Sequence, residues 1–418
     1  MKKLVTVIGP IGTRSGYGSH ARDIVISLLD LGYDVKTMPI RWGMTPQNAL
    51  NINSARDKRI VDTISFDGKI DRQPDIHIHI SVPTEFQNIG KLNIGITAGV
   101  EWTHPNPNWV NAMNRMDYNL VPSNFVKEVM SMTYTDENKK TIACTKPIEV
   151  LFEGYDETIY KPVNEYSELL VKELDVIKED FCYLFVGHWL SGPYGQDRKD
   201  VGKLVYNFLD TFKDTKDAPA LIMKTSTGTF SPVDKYRCLD RMREIKHSFG
   251  SDVKLPKIYF VHGEFSDEQM NELYNHPKVK SMVSFTKGEG YGRPLLEFST
   301  TGKPVIATGW SGHTDFLDGE YSVLLRGRLD KVHNDSVPKD YRHSESQWFN
   351  VDEEAAKMSL KYVFDNYKQF QTKGYAQKMK STEFTLTAMT DKFGKMLDEM
   401  SKDLPQQVGI KLPTLKKA

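Results

Sequence analysis

The chain has 418 residues, 55 Lys plus Arg against 55 Asp plus Glu, and 11% aromatic residues. That length exceeds one ordinary core and fits two domains, while the balanced charge excludes a global field toward nucleic acid or an anionic membrane, leaving only local basic patches open. Cys144, Cys182 and Cys238 are widely spaced, without the pairing of a metal site, and read as buried free thiols in a reducing compartment.

The opening MKKLVTVIGPIGTRSG has a basic tip, but Gly9, Pro10 and Gly12 interrupt its apolar run. It reads as a buried strand entering a loop rather than as an export signal. No stretch reaches the roughly 18 apolar residues of a membrane-spanning helix, and a cytoplasmic location is expected.

In chain order, LVTVIG, VKTMPI, IHIHIS, NIGITAG, NLVPS and IEVLFEG are strand candidates, and YGSHARDIVISLLDLG has helical period, ending at Gly32 where a left-handed cap belongs. From Glu153 to Asp180 strand character stops and charge rises, as in a linker. The pattern restarts with CYLFVG, ALIMKTS, IYFVHG, SMVSF, PVIATG and YSVLL. Two doubly wound α/β units in series are the simplest architecture. Arg326 to Gln347 has few apolar residues and reads as a long loop, and helical pattern returns in EEAAKMSLKYVFDNY and TDKFGKMLDEMSKDL. The expected domains are 1–165, 166–385 and a C-terminal helix with a basic tail, 386–418, which packs back on the first domain.

The most informative stretch is KGEGYGRPLLEFSTTGKPVIATGWSG, from Lys287 to Gly312. Its strand ends near Lys287 and a helix begins near Pro294, because proline suits a first helical turn that needs no amide hydrogen. Between them Gly288, Gly290 and Gly292 let backbone N–H groups converge beside a helix start, which favours an anion such as phosphate. Glu289 and Glu297 flank that turn and would repel phosphate, so they suit hydroxyl groups. A phosphate flanked by sugar hydroxyls is a sugar nucleotide. A glutamate opening a helix is also a common cap, and a glycine-rich turn is often only a turn.

With these residues the sequence resembles the family 4 retaining glycosyltransferases of GT-B fold, whose hallmark is E-x7-E followed by a helix and a G-x-P-V-I-A strand. Glu289 and Glu297 have that spacing, continued by Gly302, Pro304 and Gly312. FVGHWLSGPYGQDRKDVGKLVYNFLDTF is similar to the family's VGR…RKG segment, LFEGYDETIYKP to its NGVD linker, and GVEWTHPNPNWVNAMNRMDYNLVPSNFVKEV to a branch reading E…P..W…D…VPS. The matches run from about residue 5 to 365. The resemblance implies a GT-B fold of two Rossmann-like domains facing across a cleft, and transfer of a hexosyl or pentosyl unit from a nucleoside diphosphate sugar with retention, without cofactor or metal.

It further implies that Glu297 binds the donor ribose and that Glu289 lies by the transferred sugar as a catalytic group. Gly290, Tyr291, Gly292, Arg293 and Pro294 would cradle sugar and phosphate. Lys199, with Arg198 beside it, would neutralise the leaving diphosphate, in keeping with the absence of a D-x-D pair. Two departures stand out: His188 replaces the arginine of VGR, leaving Arg198 or a protonated His188 to supply its charge, and Asp200 replaces the glycine of RKG. Gly16 and Gly18 open the first domain's helix and would let backbone approach the donor. Glu101 and His104 follow a strand, where they would meet the donor sugar or the acceptor.

The acceptor is left open by the sequence. Arg41 to Asn51 belongs to the acceptor side, and GPIGTRSGYGSHARDIV with RWGMTPQNAL is similar to glycosyltransferases of tailed bacteriophages, some of which modify hydroxymethylated bases in DNA. DKYRCLDRMREIKH and ENKKTIACTK are basic segments that such a partner would use, or solvated faces; glycan and lipid acceptors stay open, as does the oligomeric state. The alternative is a nucleotide-sugar epimerase or a non-catalytic binder on the same fold.

Overall fold

The structure, a computed structural model, describes residues 2–404 except 67, 136, 137, 191 and 193. The first domain alternates β1 (Leu4–Gly9), α1 (Gly16–Asp30), β2 (Asp34–Pro39), α2 (Ala55–Val61), β3 (Ile76–Ile80), β4 (Leu92–Ile96), α3 (Pro107–Met113), β5 (Tyr118–Val121) and α4 (Asn124–Ser131). A small hairpin, β6 (Tyr134–Thr135) and β7 (Thr141–Ile142), precedes β8 (Ile148–Val150). Six of these strands form a parallel sheet ordered β2-β1-β3-β4-β5-β8. One face is aliphatic, with Val5, Val7, Ile76, Ile78, Ile80, Ile94 and Ile96 packed in one core. The alternation of β3 sends His77 and His79 to the other face, where both are buried. His77 Nδ1 meets Thr6 Oγ1 at 2.9 Å and His79 Nδ1 accepts from the Gln87 amide at 3.2 Å.

The second domain continues with α5 (Glu168–Leu174), β9 (Cys182–His188), α6 (Val201–Phe212), β10 (Ala220–Ser226), α7 (Pro232–His247), β11 (Ile258–Val261), α8 (Asp267–Asn275), β12 (Val279–Val283), α9 (Arg293–Ser299), β13 (Val305–Thr308) and β14 (Val323–Leu325). Its parallel sheet runs β11-β10-β9-β12-β13-β14, so strand order reverses between β9 and β12, and the loops leaving those two strands flank the crevice where such sheets hold ligands. Both faces are buried: Tyr183, Phe185, Leu221 and Met223 point to one core, and Leu184, Ala220 and Ile222 to the other. All three cysteines are free; burial pushes the thiols of Cys182 and Cys238 up to about 12 and about 11.

The stretch expected to be a long loop is instead a docked hairpin. β15 (Gly327–Lys331) pairs antiparallel with β16 (Gln347–Val351), and the segment between them reaches the first domain. Val332, Val337 and Trp348 share a core with Trp102, Trp109 and Met113, while the Thr103 amide donates to Gln347 O at 2.8 Å. Three apolar side chains and an edge of backbone hydrogen bonds suffice to fix it. The chain ends with α10 (Glu353–Asp365), α11 (Tyr367–Ser381) and α12 (Leu386–Met400). Leu386, Met389, Phe393 and Leu397 of α12 join the first-domain core. The two crossings between domains lie side by side: the Tyr155 amide donates to Phe384 O at 3.0 Å and the Leu386 amide to Tyr155 O at 2.7 Å. A Cβ on Gly154 would lie 2.6 Å from Leu386 Cα, so only glycine allows that approach. The expected basic tail lies mostly at 405–418, outside the described residues. No helix among the described residues is long and apolar enough to cross a membrane.

Candidate functional site

The turn after β12 lies where the second domain meets the first. Gly292 has φ 97°, the left-handed region that favours glycine, and caps α9, which starts at Arg293 with Pro294 in its first turn. Gly288 and Gly290 are accounted for by the opposite domain. A Cβ there would lie 2.0 Å from Glu101 O and 2.4 Å from Ala98 O, so the glycines bring the loop after β4 against the turn. Ser123, the N-cap of α4, donates to Gly290 O at 2.7 Å. The backbone N–H groups of Gly290, Tyr291, Gly292 and Arg293 donate to no group among the described residues, although three of the four residues are buried. Successive buried amides without partners are rare and form an anion seat. The Tyr291 ring turns away and packs on Phe316, 5.1 Å between centroids.

The loop after β9 brings cations to this seat. Lys199 pairs with Glu289, and Arg198 NH1 lies 2.5 Å from Glu101 Oε1 of the first domain. Burial pushes the Glu289 carboxyl up, but Lys199 and Arg198 outweigh it, so it stays ionised below its ordinary range. Burial, only partly offset by Glu289, holds Lys199 below its usual value. The loop is anchored from beneath: Lys287 Nζ lies 2.8 Å from Asp200 Oδ2, both side chains fully buried, and Lys287 also reaches Asn350 of the hairpin. Asp200 has φ 50°, a conformation in which glycine is favoured, so the departure from RKG carries a backbone cost, and burial pushes its carboxyl up to about 7 against the pull of Lys287. His188 Nδ1 meets Ser226 Oγ at 3.0 Å; burial, with Arg198, Lys199 and Lys224 around it, holds its pKa down to about 4. It is therefore neutral at pH 7, and the charge that protonation would have supplied is absent.

At the other end of the turn one guanidinium serves several acids. Arg293 NH1 is 2.6 Å from Asp23 Oδ2 of α1 and its Nε 2.9 Å from Glu297 Oε1, while Asp23 Oδ1 takes Arg56 at 2.6 Å. Tyr274 O–H donates to Glu297 Oε2 at 3.4 Å. Burial, incompletely countered by Arg293, pushes Glu297 up to about 7. Glu153 from the domain crossing is in the same position: 7% exposed, it makes no hydrogen bond among the described residues, and burial pushes it up to about 7 against the pull of Arg293.

No family model and no curated protein matches the sequence. Solved structures match its fold. The sucrose-phosphate synthase of Thermosynechococcus elongatus superposes with TM-score 0.63 at 13% identity, over 96% of this chain and 99% of that one. HepE of Anabaena in complex with UDP-glucose gives 0.60 at 12%, over 95% and 99%. A glycosyltransferase of Rickettsia africae gives 0.60 at 17%, over 96% and 99%.

The fold is GT-B. In the GT-B arrangement the cleft lies between the two sheets, and the sequence-selected residues divide by where they fall. Glu289, Arg198, Lys199, Glu101 and the 290–293 turn come together at it, with Glu297 on the next turn of helix. Gly16 is exposed at the start of α1, and a Cβ there would meet nothing within 4 Å. Gly18 is demanded by packing, since its Cβ would lie 2.3 Å from Thr13 O. His104 is held against the segment between β15 and β16, its O accepting from the His343 amide at 3.2 Å and from Ser346 Oγ at 2.6 Å, with Nδ1 2.6 Å from Thr103 Oγ1. Asp23, Glu153 and Lys287 were not singled out from sequence; for Glu153 the available signal was its departure from the asparagine of the NGVD pattern.

Proposed function

We propose that the chain is a glycosyltransferase that moves a sugar from a nucleoside diphosphate sugar to an acceptor hydroxyl with retained anomeric configuration and without a metal ion. The observation that carries this reading is the buried turn at 290–293 with four unpartnered amides, bounded by Arg198 and Lys199 on one side and the Glu297 carboxyl on the other. The amides and the two cations suit a diphosphate, and a carboxyl beyond them suits the ribose hydroxyls. Donor entry would draw Lys199 from Glu289 to phosphate, freeing the Glu289 carboxylate beside the sugar to stabilise positive charge developing at the anomeric carbon. As the bond from that carbon to the phosphate oxygen breaks, Lys199 and Arg198 stabilise the leaving charge. The acceptor oxygen attacks from the same face and passes its proton to the departing diphosphate.

The first domain would hold the acceptor. Trp42, partly exposed, packs on Tyr17 with 4.2 Å between centroids, and Tyr17 O–H lies 3.0 Å from both Thr97 Oγ1 and the Ala98 amide, so this aromatic wall adjoins the loop that touches Gly290. The test is a panel of nucleotide sugars, UDP-glucose first, incubated with DNA containing hydroxymethylated bases, with glycans and with lipid acceptors, and followed for free nucleoside diphosphate and glycosylated product. Product with retained configuration supports the proposal. An altered sugar nucleotide without transfer, or binding without turnover across the panel, overturns it in favour of an epimerase or a binder.

A further inference from the structure

Lys224, near the end of β10, is a buried cation that the site described above does not use. The strand register pairs Lys224 with Val186 and Ser226 with His188, so Lys224 and His188, two positions apart in that register, leave the same face of adjacent strands. The residue is 6% exposed. Its ammonium donates once, to Gly263 O at 2.5 Å, and lies 4.8 Å and 4.5 Å from the ring centroids of Phe230 and Phe265. An ammonium has three donors, so two make no hydrogen bond and are met only by the faces of the two rings. No carboxylate among the described residues forms an ion pair with it. Glu264, the acid whose field it feels, is engaged by Arg14 at 3.2 Å and Asn48 at 2.8 Å. Burial lowers its pKa to about 8, which leaves it mainly charged at neutral pH.

Arg198 and Lys199 lie in the loop that leaves β9 at His188, and the register sets Lys224 on the neighbouring strand two positions from His188. Arg198 and Lys199 are each neutralised by a glutamate; Lys224 is not. The cations and the unpartnered amides thus occupy the ends of β10, β9 and β12, three neighbours in the sheet. We infer that Lys224 is a third cation of the donor site, donating to phosphate oxygens of the nucleoside diphosphate and supplying the charge that a histidine at 188 does not. This rests on the nucleotide-sugar reading, but only for the presence of a nucleoside diphosphate.

The test is calorimetric titration of wild type, Lys224→Met and Lys224→Arg with UDP, GDP and ADP and with the matching nucleosides, beside a melting curve for each protein. Methionine fits an aromatic surround without charge, so a folded variant is expected. For the diphosphate that binds wild type, Lys224→Met should weaken binding about 10- to 100-fold, leave the nucleoside unchanged, and be largely rescued by Lys224→Arg. Undiminished diphosphate binding by Lys224→Met, or an equal loss for the nucleoside, overturns the inference while leaving the glycosyltransferase reading in place. Wild type that binds no nucleoside diphosphate overturns both.

Discussion

Glu289 and Glu297 flank one turn but lie in opposite electrical surroundings. Beside Glu289 two cations from the β9 loop converge, and the carboxyl is ionised. Beside Glu297 a single guanidinium is shared with Asp23 while Glu153 stands near without a partner, and both glutamates sit at about 7. The difference shows that a spacing rule gathers residues without assigning their charge. An end rich in cations suits a diphosphate, and an end short of cations keeps carboxyls that can donate as well as accept, which suits sugar hydroxyls.

The sharpest way to break this contrast is Lys199→Met, which should lower kcat about 10²- to 10³-fold with a smaller rise in donor KM, as for loss of a group whose contact with phosphate strengthens as leaving charge develops. A rise in KM at constant kcat would move Lys199 to ground-state binding. Asp23→Asn should cost about 2–3 kcal/mol of stability by denaturant titration, because it weakens two charge-assisted contacts, one to Arg56 within the first domain and one to Arg293 across the domains. Glu297→Ala should raise donor KM about tenfold, and Glu297→Gln less, since Gln imitates the protonated form already populated near pH 7. Equal loss in both would mean that only the carboxylate binds.

The smallest expected effect is on Glu153. Its folded pKa of about 7 lies above the ordinary 4.5, so the folded state holds the proton more tightly. That contribution to stability is complete below about pH 4.5 and is lost as pH rises through 7. Glu153→Gln cannot ionise, so its melting temperature should match wild type at pH 5 and exceed it by a few degrees at pH 8. A difference independent of pH would show that Glu153 is not protonated in the fold.

All twelve strand candidates read from sequence are strands of the two sheets, because a parallel sheet covered on both faces writes continuous apolar runs. The β15–β16 hairpin left no such trace, since its docking depends on Val332, Val337 and Trp348 scattered among polar residues. α11 was equally hidden: Phe370 is its one large buried apolar residue. In the candidate site, Glu289, Glu297, Arg198 and Lys199 were selected through local spacing. Asp23 was not, because 270 residues separate it from Arg293 and nothing in either neighbourhood announces the pair. Lys224 was hidden inside an apolar strand, where a lone lysine looks like an edge residue until the register places it opposite Val186, two positions from His188.

The most direct test is diffraction from crystals of the protein with the nucleotide sugar selected by the transfer panel. Density should place the diphosphate on the amides of residues 290–293 and within reach of Lys199, with ribose hydroxyls on Glu297 and Lys199 drawn from Glu289. Ligand bound elsewhere, with the Lys199–Glu289 and Arg293–Glu297 pairs unchanged and the turn empty, would contradict the assignment of this turn as the donor site.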